Sequence, residues 1–409
     1  MSGLLIVGGS YAGLNIAASA RQHGFDGAIT MLTEEAFLPY HRPPLSKGYL
    51  TGAVDAESLP LRGEVFYRDN QVDVVFGARA EHVEPEGRVV TTKGTFGFDK
   101  LAFATGTQAR RIALAGADLD GVVTLRSLAD ANHIREKLEQ TSSVVIIGGG
   151  FIGLELAASL AKAGKPVTVL EGLPRVMARV TGPVISNFVE CRFAAEGVRI
   201  LTATGVERIE GDRGKVTGVR DSHDVVHPAD LVVMAVGAVP NTGLAEPLGL
   251  ASGQGIHVDS CGRTANAAMF AAGDCAFGMN LFAGRDMRLE SVQNATDLGK
   301  AAGAAIAGRT MPNLSVPWFW SDQFDMKLQM VGFSQDAQQE VVRGSLEDGK
   351  FSVFYLRDER VVAIESVNAV SDHVLGRKLL AVDHHVSAAM LADPAFNPRD
   401  LIASKVAAA

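Results

Sequence analysis

The stretch Val144-Val145-Ile146-Ile147-Gly148-Gly149-Gly150-Phe151-Ile152-Gly153-Leu154-Glu155 limits what this chain can become more than any other. Four apolar β-branched residues predict a buried strand. Gly148, Gly150 and Gly153 then permit a tight turn, close approach of a pyrophosphate, and a helix packed hard against that strand. The helix predicted over Leu154 to Ala163 stops at Gly164. Val167 to Leu170 predicts a second strand finishing on Glu171, 18 residues after Gly153. An acid at that point can accept from the adenosine ribose hydroxyls. Strand, Gly-x-Gly-x-x-Gly, helix, strand and terminal acid stand in register, which is the pattern of a dinucleotide site.

The N-terminus repeats the design. Leu4 to Val7 predicts a strand, Gly8-Gly9-Ser10-Tyr11-Ala12-Gly13 the turn, and Ala17-Ala18-Ser19 matches Ala157-Ala158-Ser159 on the later helix. Ser10 replaces the middle glycine, and its Cβ leaves less room for close approach. The acid reappears as Glu34, 21 residues after Gly13, behind a strand over Ala28 to Leu32. Two such units predict two cofactors, a flavin and a nicotinamide. A chain of 409 residues, 47% hydrophobic with 44 glycines, suits an α/β protein of two or three domains.

Other classes are disfavoured. A net charge of −8 argues against general nucleic-acid binding, and no run of about 18 apolar residues is present to span a membrane. Residues 4–7 are too short an apolar stretch for a signal peptide, so a cytoplasmic protein is expected. Cys191, Cys261 and Cys275 are far apart, so neighbouring cysteines cannot form a redox disulfide. Asp372-His373 and Asp383-His384-His385 lack a third ligand at suitable spacing, and no metal site is expected.

Between the two units, Pro43 and Pro44 fix the backbone and a helix is predicted to begin near Leu45. Arg42 there suits pyrophosphate oxygens because its fork bonds in pairs, and Lys47 suits a point interaction with a flavin edge. Leu101 to Phe103 predicts a buried strand ending in Ala104-Thr105-Gly106, where small residues let chain and cofactor pass closely. A second buried strand, Leu231 to Val236, runs into Gly237 and Pro240-Asn241 and reads as the return crossing. The expected domains are therefore 1–110 with 242–316 for FAD, an inserted 111–241 for NAD, and 317–409 as an α+β C-terminal domain. In that last region, alternating segments from Lys327 to Ser366 predict an antiparallel sheet backed by helices over Ser371 to Leu380 and Val386 to Leu391.

The order HRPPLSKGYL, GGSYAG, GGGFIGLE, ATG, AVGAVPN, AAGDCA, ESVQNA and WFWSDQF resembles the FAD-containing, NAD(P)H-using ferredoxin reductases of bacterial oxygenase systems, over essentially the whole chain. The resemblance implies a glutathione-reductase-like fold: two Rossmann-like domains, the second inserted in the first, plus the C-terminal α+β domain. It makes Asp274 a partner of a flavin ribityl hydroxyl and places Gly237, Glu290 and Val292 among the cofactor-binding residues. Phe151 becomes the ring covering the nicotinamide pocket, with Ile152 beside it. Glu155 becomes the partner of Lys47, and Trp320 lies near the flavin and the acceptor-facing surface. Disulfide-using relatives carry their cysteines on the helix near Leu45, where this chain has Pro, Leu, Ser and Lys.

The expected activity is hydride transfer from NADH to FAD and single-electron delivery to a [2Fe-2S] ferredoxin serving a cytochrome P450 or Rieske-type oxygenase. The expected assembly is a monomer or weak homodimer. Glu171 favours NADH by repelling the extra phosphate of NADPH, whereas Arg175 and Arg179 offer cations that can accept it. Two other readings compete: an NADH oxidase or related FAD-dependent oxidoreductase, and a redox-controlled interaction protein resembling apoptosis-inducing factor.

Overall fold

The computed structural model describes residues 3–84 and 86–402, and its contacts divide into two compact units. The first comprises residues 1–41, 56–108 and 238–315; the second comprises 42–55, 109–237 and 316–409. Residues 403–409 of the expected C-terminal domain lie outside the described chain.

The first unit is built on a five-stranded parallel sheet in the order Met269–Ala271, Lys100–Phe103, Leu4–Val7, Ile29–Thr33, Val72–Phe76. Its central strands are continuous apolar runs because both faces are covered, and Leu5, Ile6, Met31 and Phe103 are essentially inaccessible. The helix Tyr11–Gln22 packs on the helix Val292–Ile306 at backbone distance. A Cβ on Gly303 would lie 2.4 Å from the Ile16 carbonyl oxygen, so only glycine admits this contact.

The second unit repeats the parallel arrangement in the order Arg199–Leu201, Val167–Leu170, Val144–Ile147, Leu231–Met234, Val122–Val123. It also contains an antiparallel sheet in the order Trp318–Gln323, Met326–Gly332, Arg360–Val367, Lys350–Arg357, Gln339–Ser345. The helices Val370–Leu379 and Ala388–Ala392 lie along that sheet, Val370–Leu379 on Arg360–Val367 and Ala388–Ala392 on Gln339–Ser345. Trp318–Gln323 pairs with Met326–Gly332 as a further strand, ahead of the alternating segments expected from Lys327 onward.

Two expectations are corrected. Residues 42–55, assigned from sequence to the first domain, pack with the second unit: Leu50 joins its core, and the Tyr49 hydroxyl donates to Asn132 Oδ1 at 2.6 Å. The predicted helix near Leu45 is a single 3-10 turn, Pro43–Ser46. The Ser46 carbonyl, which would continue a helix, instead accepts from the Ser159 hydroxyl at 2.7 Å.

Candidate active site

In the first unit, the strand Leu4–Val7 ends at Gly8, whose φ of +122° a side chain rarely adopts. A Cβ there would lie 2.1 Å from the Ala104 carbonyl oxygen, and one on Gly13 would lie 2.1 Å from the Gly8 carbonyl oxygen. The Gly8–Gly13 turn and the Ala104-Thr105-Gly106 strand end are thus in close contact. The Thr105 hydroxyl donates to the Asn241 carbonyl at 2.7 Å, and the Asn241 amide returns a bond to the Thr105 carbonyl at 2.8 Å. Ser10 is the helix N-cap, but its hydroxyl makes no capping bond. Its neighbour Ala12 is buried, while the Tyr11 hydroxyl lies 2.7 Å from His41 Nδ1.

Glu34 is exposed at the end of the next strand, 3.8 Å from Arg79. Asp274 is half-buried and its carbonyl accepts from Arg288, whose guanidinium also pairs with Glu290. Val292 opens the long helix behind Ser291, whose hydroxyl caps it by accepting from Asn294 N–H. The cradle that Gly8 and Gly13 form at a helix N-terminus fits a pyrophosphate, and the acid at Glu34 fits a ribose, as FAD requires.

The second turn follows the same geometry. Gly148 has φ +108°, and a Cβ on it would lie 2.5 Å from the Ala235 carbonyl oxygen; one on Gly153 would lie 2.1 Å from the Gly148 carbonyl oxygen. A Cβ on Gly150 would meet no atom within 4 Å, which is the open side that a pyrophosphate needs. Glu171 accepts from Gly149 N–H at 2.6 Å and from Leu173 N–H at 2.8 Å. A carboxylate has about four acceptor positions, so two remain for ribose hydroxyls. These residues fit NAD. Gly237 also has positive φ, +99°, with open space beside it.

Near this turn, Glu155 is only 3% exposed, yet it is fully partnered. Lys47 Nζ lies 2.8 Å from Oε1, the Ser321 hydroxyl donates to Oε1 at 2.6 Å, and the Ser46 hydroxyl donates to Oε2 at 2.6 Å. A buried carboxylate without such partners would be strongly destabilising. The short 3-10 turn, the nucleotide helix Phe151–Lys162 and the strand Trp318–Gln323 each contribute one part of this arrangement.

The Phe151 ring packs on Phe319 with centroids 4.6 Å apart, and Phe319 leads to Trp320 at 6.2 Å and on to Trp318 at 5.5 Å from Trp320. The Arg377 guanidinium sits 4.7 Å over the Trp318 ring. His373 stacks edge-on to Trp318, and burial together with nearby Arg377 pushes its pKa down to about 4, so the imidazole is neutral near pH 7. Ile152 is 46% exposed on the first turn of the nucleotide helix.

The structure therefore gathers Lys47, Phe151, Glu155 and Trp320 on adjoining elements of one unit. Arg42 is diverted in part, since its guanidinium donates to the Arg126 carbonyl at 2.8 Å. Sequence reasoning missed Ser46 and Ser321, which hold both oxygens of Glu155. The only available signal was their presence in HRPPLSK and WFWSDQF. No thiol joins this arrangement: Cys191 is exposed on another helix, and Cys261 and Cys275 are buried in the first unit.

Two dinucleotide turns in one chain are suited to moving a hydride between cofactors, and the class so defined is the FAD- and NAD-dependent oxidoreductases. The chain belongs to the pyridine nucleotide-disulphide oxidoreductase family, whose model matches residues 2–299, and a reductase C-terminal model matches residues 318–402. It is 41% identical over 405 residues to the 5,5'-dehydrodivanillate O-demethylase ferredoxin reductase subunit of a Sphingobium species, covering 98% of each chain. The ferredoxin reductase for the CYP199A2 system from Rhodopseudomonas palustris superposes with a TM-score of 0.94 at 38% identity, covering 98% of this chain and 99% of that one. Putidaredoxin reductase, solved in covalent complex with putidaredoxin, gives 0.94 at 35% identity, covering 99% of each chain.

Proposed function

We propose that this chain is an NADH-dependent reductase that carries FAD and passes electrons singly to a [2Fe-2S] ferredoxin serving a cytochrome P450 or Rieske-type oxygenase. The observation that carries the reading is the Lys47–Glu155 pair, buried beside a nucleotide turn with no cysteine within its segment. FAD, when bound, supplies the exchange between two-electron and one-electron chemistry. The chain's own residues bind, orient and set the charge. Gly8 to Gly13, Glu34, Ala104 to Gly106, Asp274, Glu290 and Val292 hold FAD, with Arg42 contributing from the 3-10 turn. Gly148 to Gly153, Glu171 and Gly237 hold NADH. Phe151 covers the nicotinamide pocket, Lys47 presents its ammonium to the flavin, and Trp320 marks the acceptor side. We assign FAD to 1–110 with 242–316, NAD to 111–241 and a C-terminal α+β domain to 317–409, apart from residues 42–55, which group with the second unit. Among the described residues no helix is long and apolar enough to cross a membrane. A cytoplasmic monomer or weak homodimer is the assembly we infer.

Anaerobic titration with NADH, followed by mixing with [2Fe-2S] ferredoxins, tests the reading. A ferredoxin should be reduced at a rate well above that of oxygen consumption in air. Rapid oxygen reduction with no ferredoxin turnover would sink it.

Nucleotide choice follows from the same loop. Arg175 does not offer its guanidinium outward: it donates to the Thr181 carbonyl and Ser186 hydroxyl, both at 2.7 Å, and to the Ala178 carbonyl at 3.0 Å. That leaves Glu171 to repel a 2′-phosphate, with only the exposed Arg179 nearby in sequence. Glu171→Ala should raise kcat/KM for NADPH relative to NADH by about tenfold. Steady-state assays with both nucleotides decide it, and an unchanged ratio would remove Glu171 from this role.

A further inference from the structure

The second unit holds another buried carboxyl that the proposed reaction does not use. Glu365, 3% exposed on the strand Arg360–Val367, accepts at Oε2 from the Gly182 N–H at 3.0 Å and from the Tyr355 hydroxyl at 2.9 Å. Gly182 is the N-cap of the helix Pro183–Ala195 and closes the loop 172–182 that follows Glu171. A Cβ on Gly182 would lie 2.0 Å from the Tyr355 hydroxyl oxygen, so the loop end is seated against this pair. At its middle the loop returns to the nucleotide turn, because Met177 N–H donates to the Gly149 carbonyl at 2.9 Å. Arg175 and Ser186 brace the loop, Arg175 by donating to the Thr181 carbonyl and the Ser186 hydroxyl, and Ser186 by donating to the Val176 carbonyl. The antiparallel sheet is thus joined by hydrogen bonds to the glycine turn through one short loop.

We propose that Glu365 is a positioning residue for the nicotinamide dinucleotide: by pinning Gly182 with Tyr355 it fixes the loop 172–182 and, through Met177, the Gly149 peptide. The proposal rests on reading Gly148–Gly153 as the NAD turn. Burial pushes the Glu365 carboxyl upward, opposed by the Ser334 hydroxyl, the Gly182 N–H, the Tyr355 hydroxyl and Arg175. The Tyr355 phenol is raised by burial and by Glu365 and Glu340, so it stays a hydrogen-bond donor at every working pH. The two accepted bonds, which an amide oxygen can also accept, are what the loop needs.

Calorimetric titration of the oxidised FAD-loaded protein with NAD+ tests this, alongside steady-state KM and kcat for NADH. Glu365→Leu should weaken NAD+ binding and raise KM by about tenfold, the order of a buried donor left unpaired, with kcat changed less than about twofold and FAD content unchanged. Glu365→Gln should bind within about twofold of the parent protein. If Glu365→Leu does not fold, Tyr355→Phe should show the same selective loss at about threefold. Unchanged NAD+ affinity in the variant that folds would overturn the proposal. So would equal loss of kcat and FAD, which marks general damage. The parent reading fails separately: a Gly150→Val protein that binds NAD+ as well as the unmodified one would show that the dinucleotide is not held at this turn.

Discussion

Lys47→Met is expected to slow flavin reduction by NADH about 100-fold, the scale seen when a charge stabilising a transfer step is removed. The same change should lower unfolding free energy by ~3 kcal/mol, since Glu155 would keep two serine hydroxyls but lose its cation while remaining buried. The two effects separate in the double variant. Lys47→Met with Glu155→Gln removes the uncompensated charge, so stability should largely return while the rate stays low. Anaerobic stopped-flow absorbance gives the rate and denaturant unfolding gives the stability. A Lys47→Met protein reduced at the parent rate would show that the ammonium plays no part in transfer.

Gly8→Ala and Gly148→Ala should fail in different ways. Each adds a methyl where φ is strongly positive and a carbonyl oxygen stands 2.1 or 2.5 Å away, so neither turn can keep its shape. If the first turn holds FAD, Gly8→Ala should purify nearly colourless, with flavin affinity reduced at least about 100-fold. Gly148→Ala should stay yellow yet lose reduction by NADH to a similar extent. Flavin absorbance after dialysis and anaerobic NADH titration read the two losses, and a colourless Gly148→Ala protein beside a yellow Gly8→Ala protein would reverse the assignment.

What the sequence made legible was local. The strand, turn and helix of each nucleotide unit lie within about thirty residues, and glycine is demanded there by clashes with a neighbouring backbone, so spacing alone reveals them. The helix Leu128–Leu138 is local in the same way, its capping box made by Ser127 and Asp130 three residues apart. What escaped were arrangements made by distant residues. Ser46 and Ser321 meet on Glu155 from 109 and 166 positions away, and a serine in sequence gives no sign of what its hydroxyl will reach. The bonds that Arg42 and Arg175 make to the Arg126 and Thr181 carbonyls escaped for the same reason, since a guanidinium in sequence gives no sign of which carbonyls folding will bring to it. The turn at Leu45 was misread as a helix because Pro-Pro starts helices well, whereas the side chains that stop this one belong to other elements.

The parallel sheet of the first unit takes its strands from both ends of a long interruption: Leu4–Val7 lies near the start, and Met269–Ala271 forms the edge beside Lys100–Phe103. The corresponding sheet of the second unit draws on a single uninterrupted run from Val122 to Met234. During synthesis, therefore, the middle of the chain can close its sheet while the beginning still waits for an edge strand and for the helix Val292–Ile306 to emerge. A chain arrested before residue 306 would have a closed central sheet but an unfinished beginning, and the central sheet would still lack the core side chains that residues 326–367 bring to it.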